Sequence, residues 1–105
     1  MAIKVYLSPL AAKKLEMILE SIEEKWNTTI RSRFLEELKQ KRNQIGQHPR
    51  SCPESKIRKG IFKAVINEHN SFYYRIKNDE IEIITIVYNQ QDPREIEKEL
   101  KQYDI

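Results

Sequence analysis

The stretch that most restricts this chain runs from Phe72 to Val87, where two runs of β-branched and aromatic residues are separated by Asn78-Asp79. Such residues fit a pleated, half-buried surface, and Asn and Asp tolerate the left-handed backbone of a tight turn. Two antiparallel strands, 72 to 76 and 81 to 87, are therefore expected. Residues 57 to 66 have the same character and precede them across Asn67-Glu68-His69-Asn70-Ser71, which extends the pair to a three-stranded antiparallel meander. Strand alternation puts Phe72, Tyr74 and Ile76 on one face, read as core. Tyr73, Arg75 and Lys77 fall on the other, a candidate working face. In the last run Ile81, Ile83, Thr85 and Val87 alternate with Glu82, Ile84 and Ile86; both sides are rich in apolar residues, so this strand is expected to be central or covered.

Upstream, Ile3, Val5 and Leu7 alternate with Lys4 and Tyr6, the period-two pattern of a short strand over residues 2 to 7. Ser8-Pro9 can cap and start a helix, because the serine oxygen accepts from a free amide of the first turn and proline suits the first helical position. Ala11, Leu15, Ile18, Leu19, Ile22 and Trp26 then form one apolar stripe on a helix from about 9 to 25. A second helix is expected from Asn27-Thr28-Thr29, burying Ile30, Phe34, Leu35, Leu38 and Ile45 and ending at Gly46. So short a link makes the two helices an antiparallel hairpin. Residues 46 to 55, with two prolines and no apolar period, read as a surface connection, and Asp92-Pro93 starts a last short helix through Arg94, Ile96, Lys98 and Leu100. Its few apolar positions suggest peripheral docking or movement. The whole is an α+β fold, and 105 residues suit a single domain over residues 1–105.

Several chemistries find no support in the residues. No apolar run approaches the roughly 18 residues that cross a bilayer, and the opening is unlike a signal-peptide core, so a cytoplasmic protein is expected. Cys52 is the only cysteine, and His48 and His69 belong to no ligand spacing, so no metal is expected. With two glycines, neither in a phosphate-binding loop, no nucleotide or other cofactor is expected either. Charge is more informative. Residues 41 to 63 hold Lys41, Arg42, Arg50, Lys56, Arg58, Lys59 and Lys63 against the single acid Glu54, in a chain whose net charge is only +3. A basic middle on an otherwise acidic molecule points to a polyanion or an acidic protein segment as ligand.

Metal-free RNA cleavage would need a base for the ribose hydroxyl, cations for the transition state and an acid for the leaving oxygen. Arg58, Lys63, His69, Tyr73, Arg75 and Tyr88 are of suitable types, but alternation need not gather them, and arginine is a poor proton acceptor at neutral pH. Each has an ordinary structural role available as solvated cation or sheet-packing aromatic.

The order strand, two-helix hairpin, three-stranded meander and terminal helix resembles the RelE/ParE toxin superfamily. So do the local sequences: Ile3-Lys4-Val5-Tyr6-Leu7-Ser8-Pro9-Leu10-Ala11, Pro53-Glu54-Ser55 before Lys59-Gly60-Ile61, Tyr73-Tyr74-Arg75-Ile76-Lys77-Asn78-Asp79-Glu80-Ile81, and Asn89-Gln90-Gln91-Asp92-Pro93. The resemblance implies the toxin of a type II module, held by a cognate antitoxin that covers its working face. Its target would be DNA gyrase in the ParE-like branch, or messenger RNA on the ribosome in the RelE-like branch. Where the nuclease branch alternates basic residues this chain has Phe62 and Ala64, and near the late arginine it has Gln90 and Gln91, after Tyr88-Asn89. A missing cation removes transition-state stabilisation, so the resemblance favours the ParE-like branch. Arg58, Lys59, Lys63, Tyr73, Arg75, Gln90, Gln91 and Arg94 are the expected target- or antitoxin-binding residues. Lys63, Arg75 and Tyr88 are the catalytic candidates of the alternative, a metal-independent ribonuclease. A third reading is a non-toxic module that keeps only antitoxin binding.

Overall fold

The computed structural model describes residues 3–102. Its elements are β1 (Val5–Leu7), α1 (Pro9–Lys25), α2 (Thr28–Gln47), β2 (Phe62–Val65), β3 (Asn70–Lys77), β4 (Glu80–Tyr88) and α3 (Pro93–Lys101), and the four strands form one sheet in the order β1-β4-β3-β2. β2, β3 and β4 are the antiparallel meander; β1 lies parallel to β4, with Val5 opposite Ile81 and Leu7 opposite Ile83. The first strand is shorter than expected. Ile3 donates to Gly46 O and Lys4 O accepts from Ile81, so the chain reaches the sheet by way of α2, while residue 2 lies outside the described residues.

The helix starts follow their caps. Ser8 Oγ accepts from Ala11 N at 3.0 Å ahead of Pro9, and Asn27 Oδ1 accepts from Ile30 N at 3.0 Å. Ser8 also donates to Ile84 O at 2.6 Å, which ties the start of α1 to β4. Trp26 departs from the expected stripe. It is the C-cap of α1, with φ −130° and ψ −131°, and this non-helical backbone turns the indole away from the core, leaving it 69% exposed. Gly46 does not end α2, which continues to Gln47; it lies in the helix where β1 passes closest, and a Cβ there would sit 3.5 Å from both Ile3 O and Val5 Cγ2.

The strand expected over 57 to 66 is confined to 62–65. Gly60 has φ +84° and donates to Glu54 Oε2, so the chain loops back on itself, Ser55 donating to Ile61 O and Lys63 to Pro53 O. Pro53 to Ser55 thereby cover the start of the β2 edge. The β3–β4 turn is as read: Asn78 and Asp79 both have positive φ, 52° and 61°, as a two-residue hairpin turn of this twist requires.

Two apolar layers enclose the sheet. Under the helical hairpin lie Ala11, Ile18, Phe34, Ile45, Phe72, Tyr74, Ile81, Ile83 and Ile86. On the opposite face α3 buries Ile96 and Leu100 against Ile61, Tyr73, Ile84 and Val87, so this helix is docked and not peripheral. The alternation expected in β4 breaks at a bulge: Tyr73 pairs with Thr85 but Tyr74 with Ile83. Ile84 is the extra residue. As a result Ile83 and Ile86, three positions apart, share the hairpin layer, while Ile84 and Val87 share the α3 layer.

Candidate functional site

The expected site residues other than Tyr88 lie around the α3 face without forming one cluster. Register sets the rows. Tyr6 of β1 lies opposite Glu82 of β4, which lies opposite Arg75 of β3; in the next row Lys63 of β2 lies opposite Tyr73. Phe62 and Ala64 belong to the hairpin layer, so Lys63 between them projects to the α3 side.

Tyr73 is only 2% exposed, because α3 packs over it, and burial pushes its phenol pKa up. The face it was expected to present to a partner is occupied from within. Arg75 is half-buried, and its Nε donates to Glu82 Oε1 at 2.8 Å, with side chains 17% and 10% exposed. Lys4 and Glu80 approach to 3.9 Å in the neighbouring row, and Lys4 stands 5.9 Å from the centre of the Tyr6 ring. Desolvation first, then the charges of Glu82 and Glu80, raise the Tyr6 pKa against the opposing influence of Arg75. This part of the face is thus a mosaic in which carboxylates already lie beside the cations.

Lys63 is half-buried, Arg58 is half-buried in the loop before β2, and Lys59 beside it is exposed. At the start of α3, Arg94 is exposed, with its guanidinium 3.2 Å from Asp92 Oδ2; Asp92 Oδ1 accepts from Arg94 N at 2.9 Å as the helix cap. Those bonds from Arg94, backbone first, hold the Asp92 carboxyl below its ordinary pKa. Gln90 is exposed. Gln91 instead turns inward, donating to Glu99 Oε2 at 2.8 Å.

Tyr88 is not with Lys63 and Arg75. It follows Val87 of the α3 layer, and alternation sends it to the hairpin side, where it is 46% exposed beside the turn before β3. The three catalytic candidates therefore lie on two faces of the sheet, and a base on one face cannot act with a cation on the other at one phosphate.

The family model for the ParE toxin of type II toxin-antitoxin systems, parDE, matches residues 5–93. The chain belongs to the ParE toxin family. It is thus a toxin of a type II toxin-antitoxin system, with a cognate antitoxin as its partner. Ten chains of known structure are similar to this ParE-family chain. One is in the crystal structure of the toxin-antitoxin complex RelBE2 from Mycobacterium tuberculosis, at 17% identity, with a TM-score of 0.56 over 85% of this chain and all of the other. At that identity the likeness is one of fold. No curated protein sequence matches significantly. No helix among the described residues is long and apolar enough to cross a membrane.

One residue on this face escaped the sequence reading. Glu99 of α3 accepts from Lys14 Nζ at 3.0 and 3.2 Å, from Thr85 Oγ1 at 2.5 Å and from Gln91. A single carboxylate joins α1, β4, the closing loop and α3. Only its i+3 spacing from Ile96 hinted that it faces inward, and the same is true of many solvated glutamates.

Proposed function

We propose that this toxin acts by binding its target and inhibiting DNA gyrase, and that it does not cleave messenger RNA. The observation that carries this reading is the Arg75–Glu82 pair. A guanidinium held by a largely buried carboxylate is poorly placed to receive the charge of a phosphorane-like transition state, since the phosphate would have to displace Glu82 or share the cation with it. The separation of Tyr88 from Lys63 and Arg75 supports the same conclusion.

On this reading the surface offered to the target is formed by Lys59, Lys63, Gln90 and Arg94 around the loop before β2 and the start of α3, with Arg58 beside them. Tyr73 and Arg75 shape that surface from beneath. An acidic antitoxin segment laid over these cations would exclude the target, and such a contact weakens with salt.

The test places the purified chain in two assays side by side, supercoiling by gyrase and cleavage of messenger RNA on loaded ribosomes. Loss of supercoiling with intact messenger is expected. Codon-periodic cuts with unaffected supercoiling would overturn the proposal, and silence in both assays, from folded protein that still binds antitoxin, would leave only the binding module.

A further inference from the structure

The C-terminal half of α2 turns a basic surface to solvent. From Leu38 to Pro53 the chain has no aspartate or glutamate, but it has the cations Lys39, Lys41, Arg42 and Arg50. None of the four has a carboxylate partner among the described residues. Helical spacing puts Gln40, Asn43 and Gln47 on the ridge opposite the buried Phe34, Leu38 and Ile45, and all three are exposed. Lys39 and Arg42 fall on one flank of that ridge, Lys41 on the other. Lys41 Nζ donates to Gln44 Oε1 at 3.2 Å and Gln44 Nε2 to Ser51 Oγ at 3.0 Å, which brings the loop after the helix to the Lys41 flank. There the guanidinium carbon of Arg50 stands 5.6 Å from the centre of the Phe62 ring, and Tyr74 fixes the loop by donating to Pro49 O at 2.8 Å. Packing on the ring sets the exposed guanidinium in place and leaves its N–H edge for an anion.

The bordering acids leave this charge in place. Glu54 accepts from Gly60 N at 2.5 Å and Glu37 from Asn67 Nδ2 at 3.4 Å; Glu36, further up the ridge, limits the surface to the C-terminal half, and Asp79 shares a hollow with Gln47 and Arg50. A protein partner needs apolar anchors, yet the exposed large apolar side chains, Leu7, Met17, Trp26, Val65 and Tyr88, all lie outside this surface. A single nucleic-acid strand needs an exposed aromatic on which its bases stack, and Phe62 is buried beneath Arg50. A duplex needs what is present, unpaired cations with neutral amides between them. We propose that the C-terminal half of α2 enters the major groove of duplex DNA, with Lys39 and Arg42 on the phosphates of one strand, Lys41 and Arg50 on those of the other, and Gln40, Asn43 and Gln47 towards the base edges. A helix about 10–12 Å across fits this groove, about 12 Å wide, whereas the narrow major groove of an RNA duplex excludes it. The contact does not depend on which target the toxin inhibits.

Titrating a short, dye-labelled DNA duplex of mixed sequence with the full chain, followed by fluorescence anisotropy, tests this. The logarithm of the binding constant should fall against that of salt concentration with a slope of about −3 to −4, as the neutralisation of four phosphates requires. Lys39→Gln with Arg42→Gln should reduce the slope to about −2, whereas Lys25→Gln with Lys98→Gln, the same loss of charge at exposed positions elsewhere, should leave it unchanged. Asn43→Asp, which sets an acid of the same shape on the ridge, should weaken binding about tenfold. All of these positions are exposed, and unchanged circular dichroism would verify folding. An equal loss of slope in the two double variants would mean diffuse attraction to a basic chain and overturn the proposal. Equal affinity for an RNA duplex, or displacement of the DNA by polyglutamate of the same charge, would overturn it too. No gyrase is present, so failure here and failure of the gyrase reading are told apart.

Discussion

Thr85, fully buried at the bulge of β4, donates its hydroxyl proton to Glu99 of α3 at 2.5 Å. With Lys14 and Gln91 on the same carboxylate, this bond is the polar attachment of α3 to the rest of the molecule. Glu99→Ala would leave the buried Thr85 hydroxyl without an acceptor and Lys14 without its anion, a loss of about 1–3 kcal/mol. Hydrogen exchange should localise the change: amides of 96–101 are expected to lose protection while those of α2 keep theirs. Uniform loss would mean that α3 is not a separable unit.

For Arg75 and Glu82 the prediction has two arms. Removing either partner strands a charge that is mostly out of water, so Arg75→Ala and Glu82→Ala should each destabilise the fold by about 2 kcal/mol, less than a fully buried pair because some solvent remains. The double substitution Arg75→Met with Glu82→Leu should recover most of that loss in urea unfolding. If gyrase inhibition survives in the double variant, the pair is structural; if it vanishes with the fold intact, Arg75 touches the target.

At the β3–β4 turn, Asp79 holds φ +61°, where a Cβ is strained and glycine is not. Asp79→Gly creates the Asn-Gly pair favoured in two-residue hairpins and should raise stability by about 0.5–1 kcal/mol, while Asn78→Val should lower it by more than 1 kcal/mol, about what a β-branched residue pays there. Thermal midpoints of the two variants moving in the same direction would be inconsistent with this turn.

Gly46 gives a graded test of close approach. A methyl group would meet Ile3 O and Val5 Cγ2 at ordinary contact distance, so Gly46→Ala should be neutral or stabilising by up to about 1 kcal/mol through helix propensity. Gly46→Leu has no such room and should force β1 from the helix, read as loss of amide protection at Ile3 and Ile81.

Alkaline pH should unfold the protein by way of its buried phenols. Burial raises the pKa values of Tyr73 and Tyr74 above the ordinary value near 10. A group whose folded pKa is raised leaves stability intact below the unfolded value and removes it as pH climbs past that value towards the folded one. Denaturation midpoints should therefore hold steady up to about pH 10 and fall beyond it, with phenolate absorbance rising together with unfolding and not before. Tyr73→Phe, which has no hydroxyl to ionise, should blunt the fall.

Much of this fold could be read from residue patterns because local rules and tertiary contacts agreed. Ser8-Pro9 caps α1 as read, Asn27 caps α2, and Asn78-Asp79 turns the hairpin. Trp26 was misjudged because helical periodicity continues on paper past the residue where the backbone leaves the helix. The faces of β4 could not be assigned from alternation alone: a single extra residue, Ile84, reverses the alternation beyond it, and isoleucine or valine stands on both sides of the slip. The candidate site was less legible. Tyr73 and Arg75 were expected to face a partner, but a helix that follows them in the chain covers one and an acid on the next strand takes the other. Neither fact is encoded near the residue it concerns.

The parallel pairing of β1 with β4 has a bearing on how the molecule comes into being. Val5 to Leu7 find their partners only at Ile81 to Ile83, and the Ser8 hydroxyl its acceptor at Ile84, a loop of 76 residues. The helical hairpin and the meander close through neighbours and can form early, whereas this last pairing carries a large closure entropy and comes late. Until β1 joins it, β4 has one hydrogen-bonding edge open along a strand rich in isoleucine and valine, a species that sticks to other strands. The first strand therefore works as a seal on a nascent chain, and a toxin whose seal is slow to close spends longest in the state where chaperones and proteases can reach it.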